Sequence, residues 1–326
     1  MEVLLNLLLV VVGFVLLIKG ADFLVNGASS LAKRFNVSDI AIGLTVVAMG
    51  TSAPELVVNL IAGTEVSSEG GNDVVFGNII GSNIFNIFLI LGISSIIYPL
   101  TVQRNALWKE IPYSLVATFV FFILVNDVLF FEAESNNLNV TDGIILLVMF
   151  SLFIIYIFMN LQRNPDGEIE DIQMYGSLKT TVMIVFGIAG LVFGGQMIVE
   201  NAVSIAERFG VSEKLIGLTI LAAGTSLPEL ATSAVAAFQK KSDLAVGNIV
   251  GSNIFNLLLV LGITSIVHSP LNFNPVLNVD LFLVMVGTFL LFIFMFTLNK
   301  YKLDRAEGVI YLIGFLAYSY YLFVRL

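Results

Sequence analysis

The 326-residue chain has no cysteine, one histidine and one tryptophan. Without cysteine there is no disulfide framework and no thiolate metal site. A single histidine leaves no His-rich metal motif, and no nucleophile–base pair stands out, so a catalytic membrane enzyme is not expected. Charge is scarce as well. Asp, Glu, Lys and Arg make up 12% of the residues, about half the share usual in a soluble domain. The charge present is mostly acidic: 24 Asp and Glu against 15 Lys and Arg, a net −9. That balance argues against nucleic-acid binding, which needs a basic footprint. Met1 to Leu9 carries no basic residue, so the first apolar block is expected to be a permanent helix and not a cleaved leader.

What the chain has instead is apolar mass. Hydrophobic residues reach 58% and the mean hydropathy is +0.98. They come in nearly uncharged blocks of about twenty residues, the length that crosses a bilayer as a helix. A β-barrel would show short alternating segments. The expected class is therefore all-α, a polytopic membrane protein of about ten transmembrane helices. The spans fall near 3–32, 38–63, 73–99, 105–126, 140–160, 178–208, 212–238, 242–268, 275–298 and 303–325. Basic residues orient them. Lys33, Arg34, Arg104, Lys109, Arg163, Lys179, Lys240, Lys241, Lys300, Lys302 and Arg305 lie on one side, against Arg208, Lys214 and Arg325 on the other. The positive-inside rule makes the first set cytoplasmic and puts both termini outside.

The chain repeats itself. GLTVVAMGTSAPEL at Gly43–Leu56 returns as GLTILAAGTSLPEL at Gly217–Leu230, and GNIIGSNIFN at Gly77–Asn86 returns as GNIVGSNIFN at Gly247–Asn256. The flanks follow: Phe35-Asn36-Val37-Ser38 matches Phe209-Gly210-Val211-Ser212. Five spans per half is an odd number, so the second half enters the membrane upside down relative to the first. The expected organisation is a first five-helix repeat over 1–160, a cytoplasmic linker over 161–177, and an inverted repeat over 178–326. Inverted repeats meet at the bilayer midplane, where broken helices supply a binding site and two gates. That arrangement points to a transporter.

Glu55 and Glu229 lie inside apolar runs, and a carboxylate there is costly enough to need a function. In a helix Thr51 and Glu55 share a face with Ser52 beside them, as Thr225 and Glu229 do with Ser226. Pro54 and Pro228 cannot donate to the carbonyls four residues back. Carbonyl oxygens from Ala48 to Thr51, and from Ala222 to Thr225, are thus expected to be freed where water is absent. The companion segments add neutral oxygens on single faces: Ser82 with Asn86, and Ser252 with Asn256. Asn83 and Asn253 fall off those faces and read as structural. Oxygen-only coordination suits a hard cation. Two buried glutamates repel at low dielectric; one Ca²⁺, two Na⁺ or two protons would cancel them. Occupants of the same carboxylates exclude one another, which is the physical basis of antiport.

These motifs resemble the paired alpha repeats of the sodium/calcium exchanger branch of the cation/Ca²⁺ antiporter superfamily, over almost the whole chain. The resemblance implies that Glu55 and Glu229 hold Ca²⁺ with backbone oxygens at Thr51 and Thr225. It implies that Ala48, Ala222, Ser52, Ser82, Ser226 and Ser252 complete Na⁺ sites, and that the first and sixth spans slide over a fixed core. The potassium-dependent branch, and some prokaryotic members, carry Asp where this chain has Asn256, so no K⁺ requirement is expected. A large cytoplasmic regulatory insert is missing, as in a compact prokaryotic member.

The expected activity is exchange of Na⁺, three to one, for Ca²⁺ across a prokaryotic cell membrane. Ca²⁺ and Na⁺ are the transported ions, with no cofactor, the lipid bilayer as surroundings, no obligatory protein partner, and function as a monomer. Ca²⁺/H⁺ exchange through the same glutamates is the alternative, and a passive cation channel a remote one. Elsewhere, His268 reads as a span-end residue, Trp108 as an interfacial anchor, and Asp166, Glu168, Glu170 and Asp171 as a solvated acidic loop.

Overall fold

The computed structural model describes residues 2–64, 71–160, 174–209 and 222–325. Helix dominates. The first half holds α1 (Glu2–Phe35), α2 (Asp39–Thr51), α3 (Ala53–Thr64), α4 (Asn72–Ile97), α5 (Arg104–Trp108), α6 (Glu110–Leu124), α7 (Asp127–Phe131) and α8 (Val140–Met159). The second holds α9 (Ser177–Arg208), α10 (Ala222–Gly224), α11 (Leu227–Phe238), α12 (Ser242–Val267), α13 (Asn278–Phe294) and α14 (Arg305–Arg325). Among the described residues seven helices are long and apolar enough to cross a membrane, eight if the bent pair α2–α3 counts as one span. The shorter apolar helices α6 and α11 occupy the two remaining stretches read as spans. The start of the seventh, with the flank at Gly210–Ser212 and Lys214, lies outside the described residues, as do Arg163 and the loop acids Asp166, Glu168, Glu170 and Asp171.

The molecule is apolar outside and polar within. Leu8, Phe14, Phe186, Phe193, Leu316 and Phe323 are exposed, while Ser, Thr, Asn and Glu side chains fill the centre. Lipid solvates the first set, and the second meets partners it would lack in hydrocarbon. Helix starts carry their own caps. At α8 Asn139 Oδ1 accepts from Thr141 N at 2.7 Å while Asp142 Oδ2 accepts from Asn139 N at 2.9 Å. The matching start of α14 uses Glu307, whose Oε2 accepts from Asp304 N at 2.8 Å.

Two minute antiparallel pairings, which an all-helical reading does not foresee, tie the halves together. β1 (Leu100–Thr101) pairs with β4 (Lys302–Leu303), and β2 (Asn137–Leu138) with β3 (Leu271–Asn272). β1 follows α4 as β3 follows α12, and β2 precedes α8 as β4 precedes α14. Exchanging the halves therefore exchanges one pairing for the other, as a two-fold relation demands. The pairings arise because backbone groups in short connections must find partners where water is limited.

α1 and α9 run against each other along most of their length. A Cβ added at Gly20 would come within 2.7 Å of Leu191 N and 2.8 Å of Gly187 O, so no side chain fits there. Small residues permit that approach, the usual basis of helix contact in lipid. Hydrogen bonds close both ends of the pair, from Asn6 Nδ2 to Ser204 Oγ at 2.9 Å and between Ser30 and Thr180 hydroxyls at 3.0 Å. Asn6 is the counterpart of Thr180 and Ser30 that of Ser204, so one bond is the other with the halves exchanged.

Candidate cation site

The break in each motif falls at its serine. Ser52 has φ −86° and ψ 5°, and Ser226 has φ −88° and ψ 2°. Between α2 and α3 the axis bends by 43°. The cause is the proline two residues on: Pro54 leaves the carbonyl of Gly50 without its helical donor, and its ring pushes the preceding backbone out of register. Leu227–Pro228 does the same for Ser226. The carbonyl of Ala48 is not freed, since Ser52 N donates to it at 2.9 Å and Thr51 Oγ1 at 3.3 Å. Ala222 stands at the start of α10. In α4 and α12 the winding loosens to π-helix at Phe85–Ile90 and Phe255–Val260, so Asn86 and Asn256 each sit at the second residue of a wide turn. Such turns are a frequent mark of functional positions.

These breaks bring the two halves to one point. Glu55 and Glu229 have 0% exposure, as do Thr51, Ser226, Ser252, Asn86 and Asn256. Ser52 Oγ donates to Glu229 Oε1 at 3.1 Å, so a first-half hydroxyl serves a second-half carboxylate. Ser252 Oγ donates to the same oxygen at 3.4 Å. Ser82 Oγ donates to Glu55 Oε1 at 3.2 Å and lies 2.9 Å from Ser226 Oγ. Asn256 Nδ2 reaches Ser82 Oγ at 3.3 Å.

What remains unpaired defines the centre. Among the described residues, nine buried side-chain atoms lack a hydrogen-bond partner, and four of them are Glu55 Oε2, Glu229 Oε2, Asn86 Oδ1 and Asn256 Oδ1. All four are oxygens, two from each half. An unmet buried acceptor costs about 1–3 kcal/mol, and more when charged. Four such oxygens from one constellation fit a desolvated metal cation, which needs acceptors only.

Of the residues expected from the sequence, the two glutamates, the four serines and Asn256 share these bonds; Thr51, Thr225 and Asn86 bond to neighbouring asparagines, Ala48 bonds within its own helix, and the surroundings of Ala222 are not described. The sequence reading missed Asn78 and Asn248. Thr51 Oγ1 donates to Asn248 Oδ1 at 3.1 Å, and Thr225 Oγ1 to Asn78 Oδ1 at 3.4 Å. A signal was present: each asparagine is one helical turn before Ser82 or Ser252, on the face those serines share with Asn86 and Asn256. Asn83 and Asn253, off that face, are also in contact. Asn83 Oδ1 accepts from Asn256 Nδ2 at 3.1 Å, and Asn253 Oδ1 from Asn86 Nδ2 at 3.0 Å. His268 packs against Gly63 at the end of α3, and Trp108 is half exposed against Phe292 and Phe296.

A helical membrane protein whose two repeated halves meet at a buried, acceptor-only constellation belongs among the secondary transporters of cations. The sodium/calcium exchanger family model matches residues 5–159 and 179–324. CaxA of Alkalimonas amylolytica is 38% identical over 322 residues, covering 96% of this chain and 97% of that protein. The sodium/calcium exchanger MaX1 of Methanosarcina acetivorans is 30% identical over 354 residues, covering 98% of each. Among solved structures, the sodium–calcium exchanger NCX_Mj soaked with Na⁺ and Sr²⁺ superposes with a TM-score of 0.81 at 30% identity, over 97% of this chain and 98% of that one. The chain belongs to the sodium/calcium exchanger family, a multi-pass membrane protein whose activity is cation/Ca²⁺ antiport.

Proposed function

We propose that the protein exchanges three Na⁺ for one Ca²⁺, without K⁺, by alternating access in the cell membrane of a prokaryote, as a monomer with both termini outside. The organisation behind it is a first repeat over 1–160, a cytoplasmic linker over 161–177 and an inverted repeat over 178–326. The observation that carries the reading is the set of four unpartnered oxygens on Glu55, Glu229, Asn86 and Asn256, drawn equally from both halves. One Ca²⁺ between the glutamates neutralises both and takes backbone oxygens at Thr51 and Thr225. Na⁺ neutralises each carboxylate separately, using Ser52, Ser82, Ser226 and Ser252, with Ala48 and Ala222 supplying carbonyls. At Ala48 that requires the ion to share a carbonyl already bonded within the helix. A third Na⁺ rests on Asn86 and Asn256. The two loads cannot coexist, and an empty site would carry two unneutralised buried carboxylates across, so the carrier moves loaded and the coupling follows.

Three Na⁺ against one Ca²⁺ moves one net charge, which the membrane potential drives at about 2.3 kcal/mol per 100 mV. With two carboxylates and neutral Asn256, the site carries no third anion to hold K⁺ beside Ca²⁺. Alternating access comes from α1 and α9 moving as one tightly packed pair across the core.

The test is ⁴⁵Ca²⁺ uptake into proteoliposomes loaded with Na⁺, diluted into Na⁺-free medium, with and without a proton ionophore and external K⁺. Uptake that requires internal Na⁺ and ignores both ionophore and K⁺ is the expected result. Uptake that ignores Na⁺ and follows an imposed pH gradient would establish Ca²⁺/H⁺ exchange through the same glutamates. Flux indifferent to both gradients would make the protein a passive conductor.

A further inference from the structure

A site for a metal ion must do two things: gather oxygens and keep hydrogens out. The second requirement is difficult here, because Thr51, Thr225, Asn86 and Asn256 each carry donors as well as acceptors. A hydroxyl or amide hydrogen turned inward would meet the cation with like partial charge. The structure places an asparagine beside each of the four.

Asn248 on α12 shows the logic. Its amide nitrogen donates to Ser233 Oγ at 2.9 Å and to the backbone oxygen of Glu229 at 3.5 Å. With both donors engaged on α11, its oxygen faces Thr51, and Thr51 must donate to it at 3.1 Å. A threonine hydroxyl has one hydrogen; Asn248 Oδ1 and the Ala48 carbonyl both compete for it, drawing it from the Glu229 carboxylate that is also within its reach. Asn78 repeats the device in the other half. Its nitrogen donates to Asn59 Oδ1 at 2.7 Å, Asn59 is itself anchored on Val75 O at 3.2 Å, and Asn78 Oδ1 accepts from Thr225 at 3.4 Å. Asn59 and Ser233 occupy equivalent positions, four residues after Glu55 and Glu229.

The second pair acts on amides. Asn253 Oδ1 takes the nitrogen of Asn86, and Asn83 Oδ1 takes that of Asn256, at 3.0 and 3.1 Å. Asn83 is held in turn by donating to the backbone oxygen of Asn253 at 3.4 Å. With the Asn86 nitrogen held by Asn253 and that of Asn256 shared between Asn83 and Ser82, both residues present Oδ1, and both of those oxygens are without partners. None of the four outer asparagines leaves a buried polar atom unpaired. Asn78, Asn83 and Asn248 are each anchored through their own nitrogen, and the inner residues keep lone pairs to spare.

We propose that Asn78, Asn83, Asn248 and Asn253 are positioning residues that absorb the hydrogens of the cation site, so that Thr51, Thr225, Asn86 and Asn256 offer the transported ion acceptors only. The inference rests on the antiport reading and deepens it: these asparagines do not touch the ion but set the polarity of the groups that do.

The test is a double-mutant cycle read by equilibrium ⁴⁵Ca²⁺ binding to the purified full chain, with melting in cation-free buffer as a check of folding. Asn248→Ala frees the Thr51 hydroxyl to turn inward, and is expected to weaken Ca²⁺ binding about tenfold while Thr51 is present. In a Thr51→Val background, which has no hydroxyl to orient, the same change should cost less than about twofold. A general packing defect would cost the same in both. If Asn248→Ala does not fold, the Asn83→Ala and Asn256→Ala cycle asks the same question of an amide. Equal losses in both backgrounds, or none, would overturn the inference while leaving the antiporter intact. Wild-type protein that binds neither Ca²⁺ nor Na⁺ would overturn the antiport reading and this inference together.

Discussion

Glu55 and Glu229 occupy equivalent places in the two repeats, yet their surroundings differ. One oxygen of Glu229 accepts from both Ser52 and Ser252, at 3.1 and 3.4 Å. Glu55 accepts only from Ser82 among the serines, at 3.2 Å, and the mate of Ser52, Ser226, lies 2.9 Å from that same Ser82. A repeated sequence thus builds an unrepeated site. The inequality gives the two carboxylates different settings for a bound ion. Neither half is complete alone, since Ser52 serves the other half's carboxylate.

The long paired helices differ in the same manner. On α1, Asp22 Oδ1 accepts from Asn26 Nδ2 at 3.0 Å and from Gln239 Nε2 at 2.7 Å, and Lys241 Nζ donates to Asn26 Oδ1 at 3.1 Å. That end of α1 is fastened to the connection between α11 and α12. On α9 the corresponding Gln196 and Glu200 are exposed and bond to each other at 2.7 Å. The acid and the amide have traded places between the two helices.

Breaking the centre should have the largest effect. Glu55→Gln or Glu229→Gln removes a charge that the bound cation needs, and Na⁺-driven ⁴⁵Ca²⁺ uptake should fall about a hundredfold or more in either variant. Survival of one variant near wild-type rate would mean that the ion uses one half only. Asn86→Asp and Asn256→Asp each add a third carboxylate at equivalent places. Each should tighten Ca²⁺ binding about tenfold, measured by calorimetry, since a partly screened charge nearby is worth that much or more. A gain at one position alone would locate the ion off the two-fold axis. Ser52→Ala and Ser226→Ala should part company. The first removes a direct donor to a carboxylate and should raise the Ca²⁺ concentration for half-maximal uptake about fivefold; the second removes a hydroxyl paired with Ser82 and should raise it about twofold. The smallest effect belongs to Gln239→Ala, which loosens one fastening of α1. Single cysteines placed at Gln196 or Glu200 report it without background, as the chain has none of its own. Their labelling rates should change by about twofold.

Much of this was legible in the residues. The doubled motifs announced two related halves, and the glutamates, serines, threonines and asparagines within them are the groups that meet at the centre. Hydropathy located the helical stretches because lipid leaves the backbone no alternative. It could not locate the break at Ser52 and Ser226, ahead of the prolines that cause it, because a proline's strain falls on the residues before it. Nor could it show that the Ala48 carbonyl keeps its helical bond. Helical periodicity puts Asn78 and Asn248 on the face of Ser82 and Ser252, but not beside Thr225 and Thr51, which lie in the opposite repeat. The strand pairings at Leu100–Thr101 and Asn137–Leu138 escaped for the same reason.

The central claim is that one constellation, shared by both halves, holds Ca²⁺ and Na⁺ in turn. The direct measurement is equilibrium Ca²⁺ binding to the purified protein titrated with Na⁺, in wild type and in the Glu55→Gln/Glu229→Gln double variant. Na⁺ should displace Ca²⁺ completely, with a concentration dependence steeper than one Na⁺ per Ca²⁺, and the double variant should bind neither ion. Ca²⁺ binding that ignores Na⁺, or that persists without the two glutamates, would contradict it.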